Sequence, residues 1–100
     1  MRRGTTPTHT FTFPFSLDVI AKLRVIYKQD DSIVLVKTLD DCIVNGNSVS
    51  YKLTQEETLL FNSDRMVDIQ IRALTAGNDS LVSRVYKVGV DVCLENEAFV

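Results

Sequence analysis

A single histidine is the residue in this sequence best suited to acid–base or nucleophilic catalysis. His9 is the only histidine of the chain, so a Ser-His-Asp or Cys-His arrangement would have to include it. It lies beside an N-terminal stretch of Arg, Gly, Thr and Pro and alternates with Phe11 and Phe13. Such alternation is typical of a strand residue at the rim of a core. We therefore predict that His9 is not catalytic and that the chain is not an enzyme.

Two pairs of carboxylates could in principle bind a cation or act as acid and base. They are Asp30-Asp31 and Asp40-Asp41. Calcium loops need several oxygen ligands at regular spacing and a glycine at the turn, and neither pair has this setting. The sequence also lacks a glycine-rich loop between a strand and a helix, which phosphate sites use. The pairs are interpreted as turn residues, and no catalytic, metal or cofactor site is predicted.

The cysteines and the hydropathy of the chain bear on its compartment. Cys42 and Cys93 have neither the close spacing nor the partner ligands of a zinc site. No apolar run approaches the ~20 residues that span a bilayer, and no signal-peptide pattern opens the chain. We expect a cytosolic protein with no membrane contact and reduced thiols. A Cys42–Cys93 disulfide stays open as an alternative.

The charge balance argues against nucleic acid as a partner. The net charge is −2 and the isoelectric point is about 5.2, whereas phosphate binding needs clustered Lys and Arg. The one basic cluster is Arg2 and Arg3 at the N-terminus. Residues 1–8 are predicted to be a flexible arm, in which these arginines are either solvated or docked on an acidic partner.

Two segments have patterns that predict exposed or shared strand surfaces. Phe11, Phe13 and Phe15 alternate with Thr10, Thr12 and Pro14, which predicts a strand with one aromatic face at a sheet edge. The run at residues 33–36, which includes Val34 and Val36, is apolar on both faces. We expect this second strand to be central in the fold or to lie against another chain.

The rest of the chain is predicted to form further strands and one helical turn. Asn45-Gly46 predicts a tight hairpin, and Gln29 to Ser32 predicts a polar loop between strands. Thr54 with Glu57 forms a capping-box pattern that predicts a helical turn near residues 55–61. Residues 67–73 alternate as a half-buried strand, and a long last strand is predicted at 81–92.

The spacing of these elements predicts the fold class. About seven short strands at intervals near ten residues, with turn signals between them, indicate an all-β, immunoglobulin-like antiparallel β-sandwich. A small barrel is the alternative. The predicted divisions are an arm at 1–8, a sandwich domain at 9–94 and a C-terminal tail at 95–100.

Three segments carry a resemblance to a family. Residues 51–58 (YKLTQEET), 67–72 (VDIQIR) and 83–90 (SRVYKVGV) resemble small structural proteins of tailed phages and prophages of Gram-positive bacteria. The pattern is similar to the N-terminal immunoglobulin-like domain of siphophage baseplate upper proteins. The resemblance implies a non-enzymatic component of the tail or baseplate. This chain has no coiled-coil or receptor-binding extension, so an assembly role is expected rather than host attachment.

The leading hypothesis is therefore a phage structural or assembly protein that acts through protein–protein contacts. The partners would be phage structural proteins or further copies of the chain, and the location would be the host cytoplasm during assembly and then the virion. The predicted interaction residues are Arg2, Arg3, Phe11, Phe13, Phe15, Val34 and Val36. The alternatives are a carbohydrate-binding or adhesion sandwich, for which tyrosines would have to gather on one surface, and a small phage-encoded regulatory protein.

Overall fold

The computed structural model describes residues 1–95 and 97–99. In this part of the chain there are eight strands, one short α-helix and two single turns of 3-10 helix. The strands are β1 (Thr8–Thr12), β2 (Ile20–Gln29), β3 (Ser32–Thr38), β4 (Ile43–Asn45), β5 (Ser48–Lys52), β6 (Val67–Thr75), β7 (Ser80–Val82) and β8 (Tyr86–Val88). The helix α1 is Gln55–Leu59, and the 3-10 turns are Leu17–Val19 and Leu39–Asp41. No helix among the described residues is long and apolar enough to cross a membrane.

The strands form two antiparallel sheets, which confirms the predicted all-β sandwich. The smaller sheet has the order β1-β5-β4. The larger has the order β3-β2-β6, and both β7 and β8 pair with the far side of β6. One edge of the smaller sheet is therefore β1, and the corresponding edge of the larger sheet is β7 followed by β8.

The core lies between the sheets and follows the alternation of the longest strands. On β2 and β6 every second side chain is buried over most of the length, as expected when one face of a strand packs and the other is solvated. The fully buried large side chains include Tyr27 and Val25 of β2, Val49 of β5, Val67 of β6, and Leu53 and Phe61 beside α1.

The predicted turns and the helical turn are confirmed. Asp30 and Asp31, with φ of 52° and 65°, connect β2 and β3. The hairpin predicted at Asn45-Gly46 forms one residue later: Asn45 pairs with Ser48, and Gly46 (φ of 62°) and Asn47 are the loop. In α1 the Thr54 hydroxyl accepts a hydrogen bond from the N–H of Glu57 (3.1 Å). The Glu57 carboxylate accepts in return from the N–H of Thr54 (2.9 Å), which completes the capping box. The helix ends at Leu59, two residues before the predicted end.

Of the two positions expected for the strand at 33–36, the central one is wrong, because β3 is the outermost strand of its sheet, and contact with another chain stays a prediction. The apolar run has another cause. Tyr27 of β2 pairs with Leu35 and the next residue, Lys28, pairs with Ile33, so β3 carries one extra residue, Val34, at this point and the alternation of its side chains changes there. Val34 packs against the core, whereas Val36 pairs with Ile26 and is 39% exposed.

The single long last strand is also wrong, because the chain leaves the sheet between β7 and β8. At this point the hydroxyl of Ser83 accepts a hydrogen bond from the backbone N–H of Ile71 (2.9 Å), a donor that a continuous strand would bind through its own carbonyl. The same hydroxyl donates to the carbonyl of Arg84 (2.7 Å). Ser83 still donates its own N–H to the carbonyl of Ile71 (2.9 Å), but its hydroxyl replaces its carbonyl as the acceptor, so the regular ladder ends there and Arg84 and Val85 lie exposed.

The N-terminal residues differ from the expected free arm, because backbone hydrogen bonds hold them along the end of β8. Arg2 forms a parallel bridge with Asp91. The N–H of Asp91 donates to the carbonyl of Met1 (2.7 Å), and the N–H of Arg3 donates to the carbonyl of Asp91 (3.2 Å). The terminal amine donates to the carbonyl of Gly89 (2.9 Å). The backbone N–H and C=O groups of an extended segment are satisfied in this way when the segment pairs with an open strand edge.

Candidate interaction surface

The free edge of β1 is the part of the fold best suited to contact another chain. Hydrogen bonds to β5 are made by alternate residues: Phe13 N–H donates to Asn47 (2.8 Å), and Pro7 accepts from Leu53 (2.9 Å). By the alternation of an antiparallel ladder, the backbone groups of Thr8, Thr10 and Thr12 point away from β5. Within the described residues β1 pairs with β5 alone, so these groups face an open edge. Such an edge is a ready template for another strand.

Beside this edge lies an apolar cleft between the two sheets, which we call the β1–β7 cleft. It has a volume of about 600 Å³, and a smaller cavity of about 290 Å³ continues along β1 towards Val88. One wall is formed by β1 and the residues after it, and the other by β7 and the excursion after it. The lining is Thr10, Phe11, Thr12, Phe13, Pro14, Phe15, Ile71, Ala73, Leu81, Val82, Ser83, Arg84 and Tyr86.

The three phenylalanines predicted as interaction residues all line this cleft. Phe11 contacts Tyr51 and Tyr86, with ring centroids 6.4 and 6.2 Å apart, while Phe13 packs on Phe15 at 5.6 Å. All three are only half-buried. A row of half-buried aromatic rings along an open edge can bury further apolar area when another segment covers it.

The other predicted interaction residues lie elsewhere, so the structure does not bring the full set together. Arg2 and Arg3 are at the end of β8; the guanidinium of Arg2 donates to Val92 (2.7 Å) and that of Arg3 to Leu59 (3.1 Å). Val34 and Val36 are on β3, at the opposite edge of the larger sheet. Only the phenylalanines belong to the cleft.

A buried hydrogen-bonded chain of His9, Tyr27 and Tyr51 was not predicted from the sequence. Nδ1 of His9 lies 2.5 Å from the Tyr27 hydroxyl, which is also bonded to the Tyr51 hydroxyl. Burial, followed by the charge of the N-terminal amine, lowers the pKa of His9, and burial raises the pKa of both tyrosines. A neutral His9 that accepts from Tyr27, which in turn accepts from Tyr51, satisfies all three groups. The arrangement is a packed polar contact between the sheets.

Two of the three tyrosines are thus in the core. Tyr27 and Tyr51 are 0% and 4% exposed, and Tyr86 is half-buried with the Arg84 guanidinium 4.6 Å from its ring centroid. A carbohydrate site made of gathered tyrosines, one of the alternatives above, has no counterpart in this arrangement. The half-buried Phe11, Phe13 and Phe15 are the aromatic residues that meet at the surface.

The carboxylate pairs make a local hydrogen bond to the backbone and an exposed ion pair. Asp41 accepts from the N–H and the hydroxyl of Thr38 (2.9 and 3.2 Å), and the backbone hydrogen bond lowers its pKa. Asp30 forms an exposed ion pair with Arg65 (2.7 Å). Among residues 1–95 and 97–99 no group of His, Cys, Asp and Glu is arranged to hold a metal. Cys42 and Cys93 are free thiols, and burial raises the pKa of Cys42.

The topology agrees with comparison to known proteins. Comparison with protein families gives no match, and comparison with curated proteins gives none. Among solved structures, the chain is similar to the extracellular domain of mouse leukocyte-associated immunoglobulin-like receptor 1, crystallised as a strand-swapped dimer. The TM-score is 0.53 at 13% identity, and the match covers 93% of this chain and 84% of that chain.

The strand order can be read in immunoglobulin terms. Strands β1-β5-β4 take the places of B, E and D, and β3-β2-β6 with β7 and β8 take those of C′, C, F and G. In immunoglobulin domains strand A flanks B, which here is the free edge of β1. No strand in the described part of the chain takes that place. The chain is an immunoglobulin-like antiparallel β-sandwich whose β1 edge and β1–β7 cleft are open.

Proposed function

We propose that this chain is a non-enzymatic structural or assembly protein of a tailed phage that binds neighbouring virion proteins through the edge of β1. The observation that carries the proposal is the coincidence of an unpaired strand edge with an apolar cleft lined by Phe11, Phe13 and Phe15. The immunoglobulin-like fold supports a protein-interaction module in general, since such sandwiches are common in binding and cell-surface domains. The phage setting is supported by the resemblance of residues 51–58, 67–72 and 83–90.

The mode of binding follows from the geometry of the edge. An extended segment of a partner would pair with the outward groups of Thr8, Thr10 and Thr12, while its alternate side chains enter the cleft. In this mode of strand addition the main chain supplies affinity and the pockets for alternate side chains supply specificity. The fold neighbour is a strand-swapped dimer, which supports self-association as one form of the same contact.

A matched pair of substitutions at Thr10 tests the proposal. Thr10→Pro removes an outward N–H that bonds nothing in β5 and places a ring against an incoming strand, whereas Thr10→Val keeps the N–H and the branched shape. Purified chain would be titrated against each structural protein encoded beside its gene. We expect binding that Thr10→Pro weakens at least tenfold, about 1.4 kcal/mol, and that Thr10→Val preserves.

Thermal unfolding of both variants is the control for folding. If the chain binds none of the neighbouring structural proteins, the proposed phage role is overturned. Equal binding by the proline and valine variants would overturn the use of the β1 edge.

A further inference from the structure

The segment that fills the β1–β7 cleft can be specified further, in an inference that rests on the proposed function. We propose that residues 92–99 of a second copy add to the edge of β1 and fill the β1–β7 cleft, so that two chains exchange their C-terminal segments. Reciprocal exchange of the same segment gives a symmetric, closed dimer, which is the commonest form of homo-oligomer. The same contact then occurs twice in each dimer.

The C-terminal segment has the chemistry of a strand that covers an apolar cleft. In extended form Val92, Leu94 and Ala98 lie on one face, and Cys93, Glu95, Glu97 and Phe99 lie on the other. On the first face, Leu94 is 97% exposed, the highest value among the large exposed apolar side chains described. Burial of such side chains in a partner stabilises the complex.

The segment and the cleft also match in length and charge. Eight residues in extended form span about 26 Å, which is long enough to pair with the five residues of β1 (Thr8–Thr12) and to pass the phenylalanines after it. The cleft is lined by one charged side chain, Arg84, and by no carboxylate. Because Glu95 and Glu97 lie on the solvent face of the added strand, neither carboxylate is buried in the apolar cleft.

The path of the chain favours a second copy over the chain's own tail. Strand β8 carries the chain away from Leu81 and Val82, and Met1 to Arg3 already bond the segment that follows it. Beyond this point the tail runs to α1, where the N–H of Phe99 donates to Oε1 of Gln55 (2.8 Å). To fill its own cleft the tail would have to reverse at residue 92 beside an occupied edge. The tail of another copy has no such restriction.

The experiment is sedimentation of the full chain, under reducing conditions, from about 1 μM to about 100 μM. We expect a dimer whose dissociation constant rises at least tenfold in Leu94→Glu. The matched control is Ile43→Glu, which makes the same change of charge at an apolar residue 72% exposed on β4. This control should leave the dissociation constant unchanged. Thr10→Pro should weaken the dimer as Leu94→Glu does.

A strict monomer over this range would overturn the exchange, as would equal weakening by Leu94→Glu and Ile43→Glu. A monomer that still binds a neighbouring structural protein in a manner sensitive to Thr10→Pro contradicts the exchange and leaves the proposed function intact. A dimer that Leu94→Glu and Thr10→Pro weaken and Ile43→Glu leaves unchanged supports the exchange, whether or not other virion proteins bind.

Discussion

Removal of the Tyr27 hydroxyl should be among the more costly single-atom changes in this protein. Tyr27 is fully buried, and its oxygen bonds both Nδ1 of His9 (2.5 Å) and the hydroxyl of Tyr51. Tyr27→Phe breaks both bonds and leaves two polar groups without a partner. Each unmade bond in a buried site costs about 1–3 kcal/mol, and because the His9 side is only partly buried the lower part of the summed range, about 2–3 kcal/mol, is expected.

The relative stabilities of Tyr27→Phe and Tyr51→Phe test which hydroxyl donates in each hydrogen bond. If Tyr51 donates to Tyr27 and Tyr27 donates to His9, Tyr51→Phe removes one bond and leaves the bond to His9 intact. Its expected cost is about 1 kcal/mol. Because 1 kcal/mol corresponds to roughly 4–8 °C in a domain of this size, Tyr27→Phe should lower Tm by about 8–24 °C and Tyr51→Phe by about half as much or less.

Thermal and urea unfolding near pH 8, where His9 is neutral, would measure both variants. Tyr86→Phe is the matched control, since the Tyr86 hydroxyl makes no hydrogen bond within the described residues, and it should change stability by less than about 0.5 kcal/mol. The reasoning is refuted if Tyr51→Phe costs as much as Tyr27→Phe, or if Tyr27→Phe is no worse than Tyr86→Phe.

Two further predictions concern the same fold. Because burial lowers the pKa of His9 in the folded state, the unfolded chain takes up the proton first, so stability is full above about pH 6.5 and falls as the pH drops below that value. Urea unfolding from pH 8 to 5 should show this fall in the wild type and a smaller one in His9→Asn; identical profiles would contradict it. Thr54→Ala should lower stability by about 1 kcal/mol through loss of the N-cap, while Thr54→Ser should retain most of it, and equal effects of the two changes in thermal unfolding would count against the capping box.

Local patterns in the sequence determine most of the fold. The alternation at 67–73, the Asn45-Gly46 turn and the Thr54–Glu57 box each act within a few residues, so their outcomes could be predicted. The edge position of β3 could not, because an apolar run on both faces fits a central strand and a bulged edge strand equally. The break after β7 depends on Ser83 reaching Ile71, a contact twelve residues away.

The candidate site was predictable only in part, for the same reason. The alternation of Phe11, Phe13 and Phe15 with polar residues showed a strand with an aromatic face, but the cleft exists because β7 lies opposite that strand. The hydrogen-bonded chain of His9, Tyr27 and Tyr51 joins three strands. The two-residue spacing of His9 from Phe11 placed it on the same face, yet its partners are 18 or more residues distant and left no signal in the sequence.

The central claim is that another chain pairs with the outer edge of β1, and amide hydrogen exchange tests it most directly. In the isolated chain the amides of His9, Phe11 and Phe13 face β5 and should exchange slowly, while those of Thr10 and Thr12 should exchange fast. In a saturated complex, with a second copy or with a neighbouring virion protein, the Thr10 and Thr12 amides should slow by about tenfold or more. Fast exchange at Thr10 and Thr12 in that complex would contradict the claim.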